Sequence, residues 1–455
     1  REMIIMDYVE MNKCGSCKYY TYEGEYKKGY CSWYKSYYYA DDSCSHWEEG
    51  NISSTGGCFL TTACCEHKGL PDDCYELTTL RSLRDHYMKQ SVFGNGLIKI
   101  YYETAPAIIN ALHKRVDHKI FGYNTVPDDY FEAYQNWWER RHHFHMEKDW
   151  MMFVTGVVPA ISSVVRKVTT VGENVLIMSP VYNIFYNSIL NNGRHVLSSD
   201  LVFDGKEYHI DFEDLERKLS LSQTTLMIFC NPHNPIGKIW DKETLQRIGD
   251  LCAKHHVIVL SDEIHCDITN PQKEYIPFAS VSKTNLENTI MCIAPTKAFN
   301  MAGMQTACIV VANEVLRHKV NRGINTDEVA EPNSFAICAT KAAFNQSEDW
   351  LNELNQYIQN NKDYAISFIQ KEIKDVYVVP TEATYLLWID CHKVCLDSVE
   401  LTSFIRKKTG LYVSDGLEYG ENGKAFIRMN VACPFERLKD GLNRFKEGIY
   451  LYQNK

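Results

Sequence analysis

The chain has 455 residues, of which 48 are basic and 58 acidic, so its net charge is −10. Its 45% hydrophobic and 23% charged residues exclude disorder, collagen and coiled coil as descriptions of the whole chain. The negative charge disfavours a general nucleic-acid binder, and no apolar run approaches the roughly 18 residues of a membrane span. The first residues contain no secretory hydrophobic region. We therefore expect a soluble, cytoplasmic, multidomain protein with neither a membrane nor a nucleic-acid partner.

Cysteine is concentrated at the beginning of the sequence, where eight of the 17 cysteines lie within the first 74 residues. The other nine are scattered singly in apolar runs, where cysteine usually behaves as a small buried side chain. This many thiols without an export signal indicate a reducing compartment rather than a disulfide framework. The composition thus separates a cysteine-rich beginning from the rest of the chain.

Two small modules are predicted before the main body of the protein. Residues 1–57 form a Cys- and Tyr-rich module, and residues 58–103 form a second module with a predicted helix over residues 72–89. The first module contains a C-x2-C pair followed by two further cysteines, a set of four thiolates that suits a structural zinc ion. An iron–sulfur cluster and a domain of buried thiols without metal are the alternatives. The candidate metal ligands are Cys14, Cys17, Cys31 and Cys44.

From about residue 105 the sequence alternates between helix-like and strand-like segments. Short, apolar and β-branched runs predict strands buried on both faces, and an amphipathic helix is predicted over residues 242–255. This alternation predicts an α/β domain with a mainly parallel sheet. We expect a large domain over residues 146–325 and a smaller α+β domain from residues 104–145 and 326–455. The predicted strands are residues 175–179, 225–230, 257–261 and 290–294.

Polar residues follow three of these strands directly. The segments are Asn231-Pro-His-Asn-Pro-Ile-Gly237, Ser261-Asp-Glu-Ile-His265 and Ala294-Pro-Thr-Lys-Ala-Phe-Asn300. Because ligands of open α/β sheets bind beyond the carboxyl ends of the strands, an Asn, an Asp and a Lys are expected in one crevice. Upstream, Thr155-Gly-Val-Val-Pro-Ala-Ile161 precedes a helix whose free N–H groups suit an anion. Together they suit pyridoxal 5′-phosphate, with a Schiff-base lysine, an aspartate at the ring nitrogen and a helix start for the phosphate.

These residues lie within a larger set of motifs from about Thr104 to the end of the chain. The set resembles fold-type I pyridoxal-phosphate enzymes of the class I/II aminotransferase superfamily, and most closely the cystathionine β-lyase branch of the bacterial maltose-regulon-modulator type. The motifs are Phe121-Gly-Tyr123, Pro180-Val-Tyr-Asn-Ile-Phe185, Asn231 to Trp240, Ser261 to His265, Lys297-Ala-Phe-Asn300 and Phe426-Ile-Arg-Met-Asn430. The resemblance covers about three quarters of the chain and implies a homodimer with shared active sites.

The resemblance implies roles for four residues around the cofactor ring. Lys297 would bind the cofactor covalently and, once released, take the Cα proton of the substrate. Asp262 would pair with the pyridinium nitrogen, Asn234 would hydrogen-bond the 3′-oxygen, and Tyr182 would stack on the ring.

Other residues are implied at the phosphate. Gly156, Val157 and Val158 would offer backbone N–H groups to it, and Tyr123 would reach the phosphate of the neighbouring subunit. The arginine that many aminotransferases carry eight residues after the lysine is absent, which makes the hydroxyl of Thr296 a further candidate.

At the substrate side, Arg428 would clamp the α-carboxylate with its two-pronged guanidinium. His265 occupies a position where many aminotransferases carry a tyrosine beside the 3′-oxygen. Two interpretations of His265 are open: it tunes the cofactor, or it is a hydrogen-bonded polar residue of the core.

The resemblance implies β-elimination from L-cystathionine or another S-substituted cysteine, giving a thiol, pyruvate and ammonia. An aminotransferase on the same residues is the first alternative. Residues 58–103 resemble a bacterial cysteine-box domain, and residues 97–103 replace the segment by which family members normally enter the catalytic part. A catalytically impaired, cofactor-binding regulator is therefore the second alternative.

Overall fold

The structure is a computed structural model that describes residues 107–455 and three short strands within residues 20–39. The chain divides into two compact units, residues 1–103 and residues 104–455. The predicted helix over residues 72–89 lies outside the described residues, as do Cys14, Cys17 and Cys44.

The described strands of the first unit form one small antiparallel sheet. They are β1 (Tyr20–Tyr22), β2 (Lys28–Cys31) and β3 (Ser36–Tyr39), in the spatial order β1-β2-β3. Cys31 ends β2, and its backbone is paired with Tyr20 on one side and Ser36 on the other.

The second unit alternates helices and strands. Its helices are α1 (residues 107–117), α2 (Asp128–His142), α3 (Val157–Val168), α4 (Ile184–Leu190), α5 (Phe212–Leu219), α6 (Lys242–Lys254), α7 (Lys283–Glu287), α8 (Glu314–Thr326), α9 (Ala336–Gln346), α10 (Glu348–Glu372), α11 (Ser398–Thr409) and α12 (Phe435–Gln453). Its strands are β4 (Met151–Val154), β5 (Asn174–Ile177), β6 (His195–Ser198), β7 (Val202–Phe203), β8 (Tyr208–His209), β9 (Thr224–Cys230), β10 (Ile258–Asp262), β11 (Thr289–Ile293), β12 (Ala307–Val310), β13 (Tyr377–Val378), β14 (Leu386–Asp390), β15 (Ser414–Asp415) and β16 (Phe426–Asn430).

A seven-stranded sheet forms the centre of the second unit, in the order β4-β12-β11-β10-β9-β5-β6. Strands β11, β10, β9, β5 and β6 are parallel, and β12 is antiparallel to both of its neighbours. Each predicted strand lies within one or two residues of a strand of this sheet. The predicted α/β fold with a mainly parallel sheet is therefore confirmed, and the apolar runs are buried because helices cover both faces.

Local sequence explains where the helices of this layer begin. The predicted helix over residues 242–255 is α6, which starts after Asp241, whose carboxylate accepts a hydrogen bond from the Thr244 N–H at 2.7 Å. Such a cap satisfies one of the backbone N–H groups that a helix start leaves free. The face of α6 that is turned towards the sheet carries Leu245, Ile248 and Cys252, which are fully buried.

A second sheet of four antiparallel strands, β13-β14-β16-β15, lies later in the chain. Helices α10, α11 and α12 share a hydrophobic core with it. The seven-stranded sheet uses residues 151–310 and the four-stranded sheet residues 377–430. The predicted domain boundaries at residues 146 and 325 stay a prediction. No helix among the described residues combines the length and apolar character that crossing a membrane requires.

Candidate active site

The register of the central sheet brings three strand ends to one edge. Asp262, the last residue of β10, lies opposite Cys230 of β9 and opposite Cys292 of β11. The segments carrying Asn234 and Lys297 therefore leave the sheet on the same side as Asp262. Strand β4 runs in the same direction because two antiparallel pairings separate it from β11, so α3 also begins at this edge.

Asp262 is buried without a full set of hydrogen bonds. Only 4% of the residue is exposed, and the one hydrogen bond to its carboxylate among the described residues comes from the Ile264 N–H at 3.2 Å. Burial raises the pKa of Asp262 to about 6, while the Lys297 ammonium opposes that rise. A buried carboxylate with vacant acceptor positions suits a cationic N–H donor such as a protonated pyridine nitrogen.

His265 lies three residues further on and is also buried. Burial, together with the charges of Lys297 and Arg428, lowers the pKa of His265 to about 3, so its imidazole is neutral at pH 7. Its Nδ1 has no hydrogen-bond partner among the described residues. Buried polar nitrogens usually have a hydrogen-bond partner, so this one can accept a ligand contact, and both interpretations of His265 stay predictions. The structure leaves this nitrogen available beside the lysine.

Arg428 reaches the same crevice from the four-stranded sheet. It lies in β16, paired with Trp388 of β14 and Ser414 of β15. Its guanidinium donates to Asn234 Oδ1 at 3.3 Å and lies 4.6 Å from the centre of the Tyr419 ring. The cation–π contact and the amide hold the planar guanidinium in one orientation, which is what two-pronged recognition of a carboxylate requires.

Tyr182 lies near the charged groups of the same crevice. It is half-buried, and burial and the Asp262 carboxylate raise its pKa while Arg428 opposes the rise. Its ring contacts Phe185 edge-to-face, with 5.8 Å between centroids. Tyr182 therefore lies within electrostatic range of both Asp262 and Arg428. Its predicted stacking on a cofactor stays a prediction.

The start of α3 provides backbone N–H groups. Gly156 precedes the helix, and no side chain caps its first turn in this part of the described chain. A Cβ at position 156 would approach Pro159 Cδ to 3.3 Å, so glycine keeps this start open. The N–H groups of Gly156, Val157 and Val158 can therefore bind an anion. Thr296, immediately before the lysine, is buried at the same sheet edge.

Comparison with known proteins identifies the family. The profile of the family "Aminotransferase class I and II" matches residues 99–445. The chain belongs to this family. The cystathionine β-lyase PatB of Bacillus subtilis is 38% identical over 348 residues, which are 76% of this chain and 90% of that protein. The resemblance predicted from the motifs is confirmed, whereas the cysteine-box resemblance of residues 58–103 lies outside the described residues and stays a prediction.

Two solved structures match this chain to a similar extent. A PLP-bound C-S lyase from Staphylococcus hominis is 31% identical, with a TM-score of 0.72, over 76% of this chain and 88% of that one. A PLP-bound protein from Clostridium difficile 630, described provisionally as an aminotransferase, is 37% identical, with a TM-score of 0.74, over 76% of this chain and 89% of that one. The fold-type I architecture expected from the sequence is confirmed by both.

One predicted residue of this family's site is not part of the crevice of its own chain. Tyr123 is completely exposed, and Ile120 and Phe121 close to it are 67% and 52% exposed. An aromatic side chain in this state has no role in the site of a single protomer. It stays a candidate for contact with a second copy of the chain.

The structure also adds a residue that the motifs did not indicate. The ring of Tyr385 meets the His265 imidazole edge-to-face, with 5.9 Å between centroids. Tyr419 was missed in the same way, although it supports Arg428. In the sequence, both look like ordinary core tyrosines beside a short strand.

The described residues fit pyridoxal phosphate. Asp262 has vacant acceptor positions, His265 Nδ1 has no partner, and the start of α3 is uncapped. The Lys297 amine lies within electrostatic range of the Asp262 carboxylate. The first three groups lack, among the described residues, partners that the ring nitrogen, the ring oxygen and the phosphate of the cofactor would provide, and the lysine amine suits its aldehyde carbon.

Proposed function

We propose that this chain is a pyridoxal-phosphate-dependent C–S β-lyase that cleaves L-cystathionine or another S-substituted cysteine. The observation that carries the proposal is the crevice in which Asp262, Lys297 and Arg428 converge. The lyase names of the Bacillus subtilis and Staphylococcus hominis relatives agree with it. They also agree with the lyase reaction expected from the sequence.

Pyridoxal phosphate, when bound, supplies an electron sink for the electron pair left at Cα after proton removal. Lys297 would hold the cofactor through its amine and, once displaced by the substrate amine, accept the Cα proton. Asp262 would keep a proton on the ring nitrogen, because a buried carboxylate with a single backbone donor favours a cationic partner. Arg428 would orient the substrate through its α-carboxylate.

The leaving group completes the reaction. Once Lys297 has taken the Cα proton, the Cβ–S bond breaks, the sulfur leaves with the bonding pair and is protonated to a thiol. The three-carbon enamine that remains consumes one water and gives pyruvate and ammonia. Apart from this water, no oxidant and no keto-acid co-substrate is needed.

Pyruvate release from L-cystathionine by the cofactor-loaded protein tests this proposal. We expect pyruvate and thiol in equal amounts without any added keto acid. Amino transfer that depends on a keto acid would instead favour an aminotransferase, in line with the description of the Clostridium difficile relative. Neither activity, with the cofactor bound, would favour the regulator.

We further propose that the enzyme is a cytoplasmic homodimer. The exposed segment that contains Ile120, Phe121 and Tyr123 offers an apolar surface to a second copy, and from there Tyr123 would reach the partner's phosphate. The nine cysteines described in the second unit are all free, which agrees with a reducing compartment. Measurement of the mass in solution tests the dimer. A weaker affinity for pyridoxal phosphate in Tyr123→Phe would support the shared site.

For the first unit we propose a structural zinc ion bound by the four predicted cysteines. The support is the C-x2-C spacing and the four thiolates in a segment with little material for a core. Elemental analysis should find about one zinc per chain, lost together with the fold of this unit on chelation. Iron with inorganic sulfide would favour the cluster, and absence of metal would favour buried thiols.

A further inference from the structure

One lysine of the second unit is buried without a carboxylate partner. Lys362 on α10 is only 1% exposed, and none of the described ion pairs includes it. Its Nζ donates to two neutral oxygens, Asn270 Oδ1 at 2.8 Å and the Ala383 carbonyl at 3.2 Å. Burial lowers the pKa of Lys362 to about 7. Burying a lysine is unfavourable when its amine has no carboxylate partner, and here only two neutral oxygens offset the loss of water.

The segment that Lys362 holds joins two loops of the site. Asn270 donates to the Thr381 carbonyl at 2.7 Å through its side chain and to the Glu382 carbonyl at 2.8 Å through its backbone. The Gly237 carbonyl accepts from the N–H groups of Glu382 and Ala383, at 2.8 and 2.9 Å. Residues 381–383 are thus attached to the loop after β9, which carries Asn234, and to the loop after β10, which carries His265.

The next residue has an unusual backbone conformation. Thr384 has a φ of 65°, although it is β-branched, and it is 1% exposed. A β-branched residue is strained in the left-handed region, and such strain persists only where the surroundings hold it. Its N–H donates to the Ile268 carbonyl at 2.8 Å. Lys362 and Asn270 therefore fix the chain on one side of a strained residue, and Tyr385 follows on the other.

Tyr385 carries a hydroxyl that is free among the described residues. The side chain is half-buried in the crevice, and its ring contacts His265. Arg428 opposes the rise in pKa that burial causes at Tyr385, and Tyr385 in turn raises the pKa of Tyr182, so Tyr385 lies within electrostatic range of both side chains. A hydroxyl in this place, without a partner, is a donor for a ligand beside Arg428.

We propose that Tyr385 hydrogen-bonds the amino-acid substrate beside Arg428, and that Lys362 is a positioning residue that holds Tyr385 there through Ala383 and Thr384. The inference rests on the proposed function only in requiring an amino acid as the ligand. It holds equally for a lyase and for an aminotransferase.

The test uses the cofactor-loaded full chain and L-alanine, which has an α-carboxylate but no leaving group. Its dissociation constant is measured from the change in visible absorbance of the bound cofactor. We expect Tyr385→Phe to weaken L-alanine about tenfold, the effect of one hydrogen bond to a charged group. Lys362→Met should weaken it about threefold or more, whereas Lys371→Met, an exposed lysine on the same helix, should leave it unchanged.

A double mutant separates positioning from general damage. If Lys362 acts through Tyr385, Lys362→Met combined with Tyr385→Phe should bind L-alanine no more weakly than Tyr385→Phe alone. For the substrate, KM should rise in each variant with kcat within about threefold. If Lys362→Met does not fold, Asn270→Ala is used in its place in the double-mutant cycle, because it removes the hydrogen bond between Lys362 Nζ and Asn270 Oδ1.

Three results would overturn the inference: unchanged L-alanine affinity in Tyr385→Phe, additive effects in the double mutant, or equal losses in Lys362→Met and Lys371→Met. Absence of pyruvate from L-cystathionine, with the expected pattern of L-alanine affinities, would reject the lyase and support the role of these two residues.

Discussion

Two buried aspartates five residues apart behave in opposite ways. Asp262 and Asp267 are 4% and 3% exposed. Asp262 has one backbone donor, and burial raises its pKa to about 6. Although burial acts on Asp267 too, His142, Arg141 and Trp137 together hold its pKa below the usual value.

The difference lies in the donors around each carboxylate. Asp267 accepts from Trp137 Nε1 at 3.1 Å and His142 Nε2 at 3.0 Å, and Arg141 Nε lies 3.2 Å away. His142, Cys266 and Asp267 are close enough to share a metal ion, but these donors already use the carboxylate oxygens. Burial alone therefore does not mark a functional carboxylate. What distinguishes these two aspartates is their donors: the missing ones leave acceptor positions of Asp262 for a ligand, whereas those of Asp267 attach it to α2.

The largest loss of activity is expected when Lys297, the lysine within electrostatic range of Asp262, is removed. Lys297→Ala should abolish pyruvate release, at least about a thousandfold, because no other group would hold the cofactor and take the Cα proton. The cofactor should also no longer resist removal by dialysis. Lys371→Ala, an exposed lysine, is the matched control and should keep full activity. Retained pyruvate formation in Lys297→Ala would reject the assignment of the site.

Asp262→Asn should reduce kcat/KM about a hundredfold or more without reducing stability. The amide cannot keep a proton on the ring nitrogen, but it fills the same space and no longer buries a charge. Turnover and thermal unfolding of the cofactor-free protein measure the two effects. If Asp262→Asn lost stability and kept activity, Asp262 would stabilise the fold as Asp267 does, and would not serve the cofactor.

The matching change at Asp267 should have the reverse effect. Asp267→Asn leaves His142 and Arg141 without their shared carboxylate, so we expect a loss of about 3 kcal/mol of unfolding free energy. The visible absorbance of the bound cofactor and the KM should stay close to those of the unchanged protein. Urea denaturation gives the first quantity. If Asp267→Asn changed the cofactor spectrum and left the stability unchanged, Asp267 would serve the site and not the fold, contrary to this contrast.

The sequence was sufficient to predict that three polar residues meet at one edge of the sheet, and their roles toward the cofactor stay predictions. Asn234, Asp262 and Lys297 follow apolar strands whose lengths are visible in the sequence, and parallel strands end at one edge. It was not sufficient for Tyr385 and Lys362. Lys362 and Asn270 are 92 residues apart in the chain, and their contact depends on how α10 packs rather than on any local pattern.

The same limit applies to the two aspartates. Both belong to the run from Ser261 to Asp267, and only resemblance to the family distinguishes Asp262. The donors of Asp267 come from α2, more than 120 residues earlier, as the separations of 130 and 125 residues to Trp137 and His142 show. Strands β7, β8, β13 and β15 have two residues each, too few to show a period in the sequence.

The smallest expected effect is a difference in pH dependence in the cofactor-free protein. A carboxyl whose pKa is raised from 3.8 to about 6 by folding destabilises the fold when ionised, so this cost is present above pH 6 and is relieved as pH falls towards 4. Asp262→Asn lacks the cost. Its stability relative to the unchanged protein should therefore increase by about 1 kcal/mol between pH 5 and pH 7.

The comparison of two proteins is necessary because other groups titrate in the opposite direction. The lowered pKa of His265 makes the fold less stable as pH falls below about 6, and this contribution is common to both proteins and cancels. Urea denaturation at pH 5 and pH 7 measures the difference. If this pH-dependent difference were absent or reversed, the Asp262 carboxylate would have hydrogen-bond donors as Asp267 has. Its acceptor positions would then not be vacant, and the assignment of the ring nitrogen to Asp262 would lose its support.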